Sequence, residues 1–294
     1  MADTLVRPAE RARYRQIALV LVGALLLAGL GAAAWYHHRP GWRLSWSDDF
    51  SGATLDPAKW QVEDRSTFGN GNAELACLLN RPRNVRLADG LLSLTAVRER
   101  TPVVCGDNDT RFPNGRDYTS AMVSTKGKQS WHEGRFEIRA KLPLTPGSSK
   151  GLWPAFWMRP AAGTGDGEID VLEAVGTGNP NDPEANTVHQ TLWYDENGTH
   201  PKQSQVTQVS DPAGSFHTYG VRWRDGKIDW YIDGKVVFSR DESSTPWLTS
   251  ALAGRFFLRL NLAVGGTFPG TPTGSTRLPA AMVVDWVKVY QWRD

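Results

Sequence analysis

The stretch Arg135–Leu142 reads RFEIRAKL, with Phe136, Ile138, Ala140 and Leu142 apolar and Arg135, Glu137, Arg139 and Lys141 charged. A strict period of two puts the apolar side chains on one face of a β-strand and the charges on the other. Phe256, Leu258, Leu260 and Leu262 repeat the pattern, with Arg259 and Asn261 on the opposite face. Ile228–Ile232 and Lys235–Phe238 flank Asp233-Gly234, a pair that favours a tight hairpin turn. Val283–Tyr290 reads as a further strand. Nothing after residue 40 sustains an apolar period of 3.6, and no internal repeat is evident. Many short strands joined by Gly/Pro turns imply an all-β fold, an antiparallel β-sandwich or jelly roll.

Around these strands, the chain of 294 residues is 40% hydrophobic and 22% charged, which excludes a disordered polymer. Its net charge of +2 comes from the first sixteen residues, where Arg7, Arg11, Arg13 and Arg15 face only Asp3 and Glu10. A neutral body without a basic run argues against nucleic acid as a partner. Two cysteines exclude a Cys-rich scaffold and a Cys₄ zinc site. Thirteen Trp supply large flat apolar faces.

Residues Ile17–Tyr36 hold no charged side chain, and at 1.5 Å per residue they would span roughly 30 Å, the thickness of a bilayer core. The arginines ahead of them place 1–16 in the cytoplasm as a tail, 17–36 across the membrane as one helix, and the rest outside. A cleavable signal ending near Gly31–Ala34 is the rival, although its apolar region should run only about 7–15 residues. Either way the body is exported, single-pass anchored or secreted. Residues 37–44 read as a linker, and 45–294 as one domain. Export would permit a Cys77–Cys105 disulfide, two buried free thiols being the other reading.

Gly167–Gly176 reads GEIDVLEAVG. Glu168 and Asp170 share a strand face, whereas Glu173, five residues from Glu168, falls on the opposite one. One extra residue in a β-bulge would return Glu173 to the same face. Three acids there would repel one another unless one kept its proton. That is what retaining glycoside hydrolysis needs, with one carboxylate attacking the sugar and one carboxylic acid protonating the leaving oxygen. In GLWPAFWM (151–158), Trp153 and Trp157 share a face, as Trp193 does with His189 and Thr191. Indoles offer stacking surfaces for pyranose rings, although sandwich cores bury Trp as well.

Read in order, WSDDFSG (46–52), NAELACLLNRPRNVRLADGLLSLTA (72–96), YTSAMVSTKGKQSWHEGRFEIRAKLP (118–143), GLWPAFWM and EIDVLE form one series. VHQTLWY (188–194), FHTYGVRW (216–223), FFLRLNLAVGG (256–266) and VDWVKVYQ (284–291) continue it. The series resembles glycoside hydrolase family 16, nearest its bacterial laminarinase-type endo-β-1,3-glucanases, over essentially all of 45–294. The resemblance implies a concanavalin-like jelly roll with Glu168 as nucleophile, Glu173 as general acid/base and Asp170 as the acid tuning the nucleophile. It places His189 in the cleft near the acid/base, either handling a proton or propping the strand. It marks Trp153, Trp157 and Asn72 as sugar-binding, with Glu74 and Asn261 beside them. The extra residue in EIDVLE points away from lichenase-like members. AAGTGDG (161–167) lacks the aromatic loop of laminarinases, and Cys77 stands where an aromatic is common. Asp285, the Gly90 carbonyl and the region of Asp49 match a structural Ca²⁺ site on the convex side, which catalysis should not need.

The expectation is thus an exported, monomeric endo-glycosidase whose partner is β-1,3-glucan and which needs no catalytic cofactor. A transglycosylase, or a hydrolase of an exopolysaccharide or other β-glycan, would use the same residues. A lectin-like binder would have no use for the acid triplet.

Overall fold

The computed structural model describes residues 40–106, 108–161, 167–195 and 198–294. The segment 17–36, expected to cross a membrane, lies outside them, and no helix among the described residues is long and apolar enough to do so. Two compact units are distinguished, a body of Leu44–Gln291 and a second unit of Met1–Arg43 with Trp292–Asp294. Within the second unit, the Trp42 and Trp292 rings meet edge to face at 5.4 Å.

The first half of the fold contains β1 (Gly41–Asp48), β2 (Gln61–Val62), β3 (Ala76–Leu78), β4 (Val85–Ala88), β5 (Leu91–Val103), β6 (Arg116–Ser124), β7 (Gly134–Lys141) and β8 (Leu152–Pro160). The second half contains β9 (Gly167–Glu173), β10 (Thr187–Tyr194), β11 (Lys202–Gln208), β12 (His217–Arg224), β13 (Lys227–Ile232), β14 (Lys235–Asp241), β15 (Phe256–Val264) and β16 (Ala280–Arg293). One short helix, α1 (Leu248–Ala251), precedes β15. The expected linker at 37–44 gives way to strand at Gly41, so the boundary placed at 45 falls inside β1. Its alternating Trp42, Leu44 and Trp46 had already carried the strand pattern.

The main strand path is β11-β10-β9-β8-β15-β6-β5-β16-β7-β12-β13-β14, a nearly closed jelly-roll-like sandwich. Its corner is β5, whose Leu92–Ala96 pair with β16 while Val97, Arg98 and Val103 pair with β6. A strand that changes sheets lets one path form both layers. The β13–β14 hairpin turns at Asp233 (φ 49°) and Gly234 (φ 79°), both in the left-handed region that tight hairpins require.

The alternating residues meet as expected. Phe136, Ile138 and Ala140 of β7 and Leu258, Leu260 and Leu262 of β15 are fully buried in one core. Across that core the Trp223 and Phe256 rings touch edge to face at 5.4 Å. Cys77 and Cys105 are joined by a disulfide with Cα atoms 5.5 Å apart, which settles the two readings of that pair.

After β9 the chain leaves past Gly176, where a Cβ would stand 1.8 Å from the Ser149 carbonyl oxygen. Backbone cannot yield as a flexible side chain does. Gly176→Ala is expected to cost about 1–3 kcal/mol in urea unfolding. Gly178→Ala, whose Cβ would meet nothing nearer than Lys150 Cβ at 3.5 Å, should stay within about 0.5 kcal/mol.

Candidate active site

The bulge inferred from the spacing of the acids is present. On β8 and β9, Phe156 pairs with Leu172 and Trp157 with Asp170, leaving Val171 as the extra residue. On the other side His189 pairs with Glu173 and Thr191 with Asp170. The Asp170 carbonyl at the bulge accepts a hydrogen bond from Trp230 Nε1 of β13, 2.9 Å away through the core. That bond satisfies a backbone group where the ladder is interrupted.

The registers lay out the sheet's outer face in rows. One row holds Asn261, Ala155, Glu173 and His189, and the next holds Arg259, Trp157, Asp170 and Thr191. In a third, Phe257 pairs with Arg159 and Glu168 with Trp193, while Arg159 Nη1 donates to Glu168 Oε2 at 2.9 Å. Glu168, Asp170, Glu173, Trp153, Trp157, Trp193, His189, Asn72, Glu74 and Asn261 all line one open cleft of about 920 Å³. Sequence reasoning had named all ten.

Each carboxyl has its own surroundings. Trp153 Nε1 donates to Glu173 Oε1 (3.0 Å) and Trp193 Nε1 to Asp170 Oδ2 (3.0 Å). Burial, then the negative charge of Glu168, pushes Glu173 up to about 7. Complete burial, and then the charges of Glu173 and Glu168, push Asp170 well above the ordinary carboxylate range. Glu168 is also raised by burial, but Arg159 opposes the shift through charge and hydrogen bond, as Arg259 does through charge. The row therefore sets one carboxyl beside a cation that favours its ionised form and another poised near neutrality.

The neighbours of this row are fixed in turn. Trp157 Nε1 donates to Asn261 Oδ1 at 2.7 Å. His189 Nε2 lies 3.2 Å from Glu184 Oε2, and its ring meets Phe268 edge to face at 5.1 Å. Burial lowers its pKa despite Glu184, so the ring is neutral at pH 7. Asn72 ends a short 3₁₀ turn, Asn70–Asn72, and Glu74 follows it. Buried Arg116, ion-paired to Asp109 at 2.5 Å, donates to the carbonyls of Glu74 and Ala76 (3.2 Å each), and Arg111 donates to the Glu74 carbonyl at 2.9 Å. Burial pushes Glu74 up to about 7 against the hydrogen bond from Asn72.

Sequence reasoning missed Phe68, Phe268, Lys126, Arg159, Lys202 and Phe257, which also line the cleft, and assigned no role to Arg259. Arg159 was readable in principle, since it shares the strand face of Trp153 and Trp157. Phe68 and Phe268 lie outside strands and carry no periodic signal. Asp49, Gly90 and Asp285 lie apart from the cleft. Among the described residues no group of three or more His, Cys, Asp or Glu is arranged to hold a metal.

A β-sandwich with buried carboxyls in a tryptophan-walled cleft is the architecture of an enzyme that works on glycans. Residues 73–287 match the model of glycosyl hydrolases family 16, and the chain belongs to that family. It is 37% identical over 268 residues to the β-glucanase of Rhodothermus marinus, covering 86% of each chain. It is 35% identical over 278 residues to glucan endo-1,3-β-glucosidase A1 of Niallia circulans, covering 85% of this chain but 38% of that longer protein. The X-ray structure of the R. marinus laminarinase superposes with TM-score 0.70 at 36% identity, over 87% of this chain and 99% of the other. The protein is a glycosidase.

Removing the Trp153 indole donor should leave Glu173 harder to ionise. Trp153→Phe is expected to move the alkaline limb of the rate profile upward by about one pH unit, read from kcat/KM between pH 5 and 9. An unmoved limb would show that this bond does not set the Glu173 pKa.

Proposed function

We propose that the chain cleaves β-1,3-glucan internally, with retention, by double displacement. The observation that carries this reading is the acid row, in which Arg159 favours the ionised form of Glu168 while Glu173 is pushed up to about 7. Glu173 protonates the leaving oxygen as Glu168 attacks the anomeric carbon. Glu173, now a carboxylate, then takes a proton from the water that releases the sugar from Glu168. Asp170, pushed well above the ordinary carboxylate range and hydrogen-bonded to Glu173, favours its neutral form and so limits the negative charge in the row. Trp153, Trp157 and Trp193 supply the stacking faces, and Asn72, Glu74, His189 and Asn261 the polar contacts. The β-glucan substrate is carried over from the relatives, whose names specify glucan or 1,3-β-glucan.

Rate should follow a bell in pH. The alkaline limb falls through about 7 as Glu173 loses its proton. The acid limb falls where Glu168, raised above the ordinary carboxylate range, gains one. Glu173→Gln is expected to lower reducing-sugar release from β-1,3-glucan by about 10²–10⁴-fold, and Glu168→Gln by at least as much. Full activity in either variant, with the fold intact, would overturn the assignment.

The same proposal places the body outside the cytoplasm, monomeric, anchored through 17–36 or released by cleavage there. A disulfide at Cys77–Cys105 suits an oxidising compartment. It also includes a structural Ca²⁺ near Asp49, Gly90 and Asp285. Val284 pairs with Leu92, which sets Asp285 beside the turn holding Gly90, and a Cβ on Gly90 would stand 3.9 Å from the Asp49 carbonyl. These oxygen donors suit Ca²⁺, although the ion would share the Asp285 carboxylate with its partner Arg139. Chelation should lower Tm by several degrees and leave kcat unchanged. An unaltered Tm would remove the site.

A further inference from the structure

Four cations line the cleft, Lys126, Arg159, Lys202 and Arg259. Among the described residues only Arg159 has an ion-pair partner there, Glu168. Arg259 is the least expected of the four. It stands on β15 across from Trp157, and its guanidinium carbon is 4.6 Å from the Phe68 ring centre, 4.7 Å from that of Trp157 and 4.9 Å from that of Phe257. Among the described residues no carboxylate or carbonyl hydrogen-bonds it, although the charges of Glu63 and Glu168 act on it from further off, so its five N–H donors sit among rings at the cleft without a bonded acceptor. Burial and the nearby charge of Arg159 lower its pKa to about 10, which leaves it charged at neutral pH. Two guanidinium groups held close together repel, and a cation with no hydrogen-bonded counter-ion in a partly dry site gains when an anion bonds it directly.

Most acids of the cleft do not offset this charge. Burial pushes Asp170 well above the ordinary carboxylate range and brings Glu173 and Glu74 to about 7, which disfavours their charged forms in mildly acidic solution. A cleft built for an uncharged polymer has no need of that excess.

We infer that the Glu168 end of the cleft binds an anionic group, a carboxylate or a sulfate half-ester, on the sugar that stacks against Trp157. Arg259 is its first contact, with Arg159 and Lys126 beside it. Planar guanidinium groups bind such oxyanions through paired N–H donors, and the aromatic box holds Arg259 in place before the ligand arrives. The inference rests on the proposed glycan cleft and specifies that its natural substrate is an acidic rather than a neutral β-glycan.

The test compares β-1,3-gluco-oligosaccharides of one length in three forms: neutral, oxidised at C6 to glucuronate, and sulfated at C6. Full-length protein and Arg259→Met are assayed for kcat/KM by reducing ends and for Kd by calorimetry, at low and high salt. One anionic form should be favoured over the neutral one by about tenfold or more, the preference shrinking with salt and in Arg259→Met. Which of the two is favoured identifies the group. Equal use of neutral and anionic forms by the wild type would overturn the inference. So would an equal drop for all forms in Arg259→Met, which would make Arg259 a strut for the Phe68 segment. Should Arg259→Met not fold, Lys126→Ala, at an exposed position, reads the same ratio. Anionic preference in Kd without cleavage of any form would keep this site and remove the β-1,3-glucanase reading. Cleavage of the neutral form without preference would do the reverse, and no binding of any form would remove both.

Discussion

The hydrogen bond from Trp230 to the Asp170 carbonyl ties the row of acids to the core. A regular β9 would send Glu173 inward, where a carboxyl among Ile169, Leu172 and Phe156 would have no partner. The extra residue, Val171, prevents this, but a bulge leaves backbone groups without ladder partners. Trp230 answers for one of them from the opposite layer, and its own indole is completely buried. The outer-face chemistry of β9 therefore depends on a side chain delivered by β13, sixty residues further along the chain.

Electrostatics then follow from position. All three acids lose water, and burial alone would raise each of them. What separates them is the neighbour that each row provides. Glu168 has a guanidinium, Glu173 an indole N–H, and Asp170 an indole N–H with a carboxyl on either side. A cation stabilises an anion far more than an indole donor does, so the negative charge settles at Glu168. Asp170, fully buried with a carboxyl on either side, is pushed well above the ordinary carboxylate range, and its neutral form relieves the repulsion of three acids on one strand.

Much of this was legible in the sequence because strands write their exposure in a period of two. RFEIRAKL, the Asp233-Gly234 turn and the offset of Glu173 needed no partner to be read. The offset was the more informative for breaking the rule, since an odd spacing between acids on an apolar strand has few explanations besides a bulge. Pairing order was not legible. That β15 lies between β8 and β6, or that β5 divides itself between layers, depends on contacts between distant segments, which no local pattern reports. Nor were Phe68 and Phe268, since loop residues point where tertiary contacts send them. The linker expected at 37–44 overran into the first strand for a simpler reason, in that Pro40-Gly41 reads as a break although Gly41 already belongs to β1.

Arg259 shows the limit of reading by face. Its alternation with the leucines of β15 placed it correctly on the outer side, and there an arginine passes as an ordinary solvent-facing residue. Only the registers reveal that this outer side is the cleft. β6 and β8 flank β15, bringing Trp157 alongside, and Phe68 arrives from a segment nearly two hundred residues earlier. The same side chain that balances a strand pattern thus becomes a half-buried charge beside Glu168. Its meaning lies in the mismatch between three rings, which can hold a cation but cannot accept five hydrogen bonds, and the glycan surface they help to form.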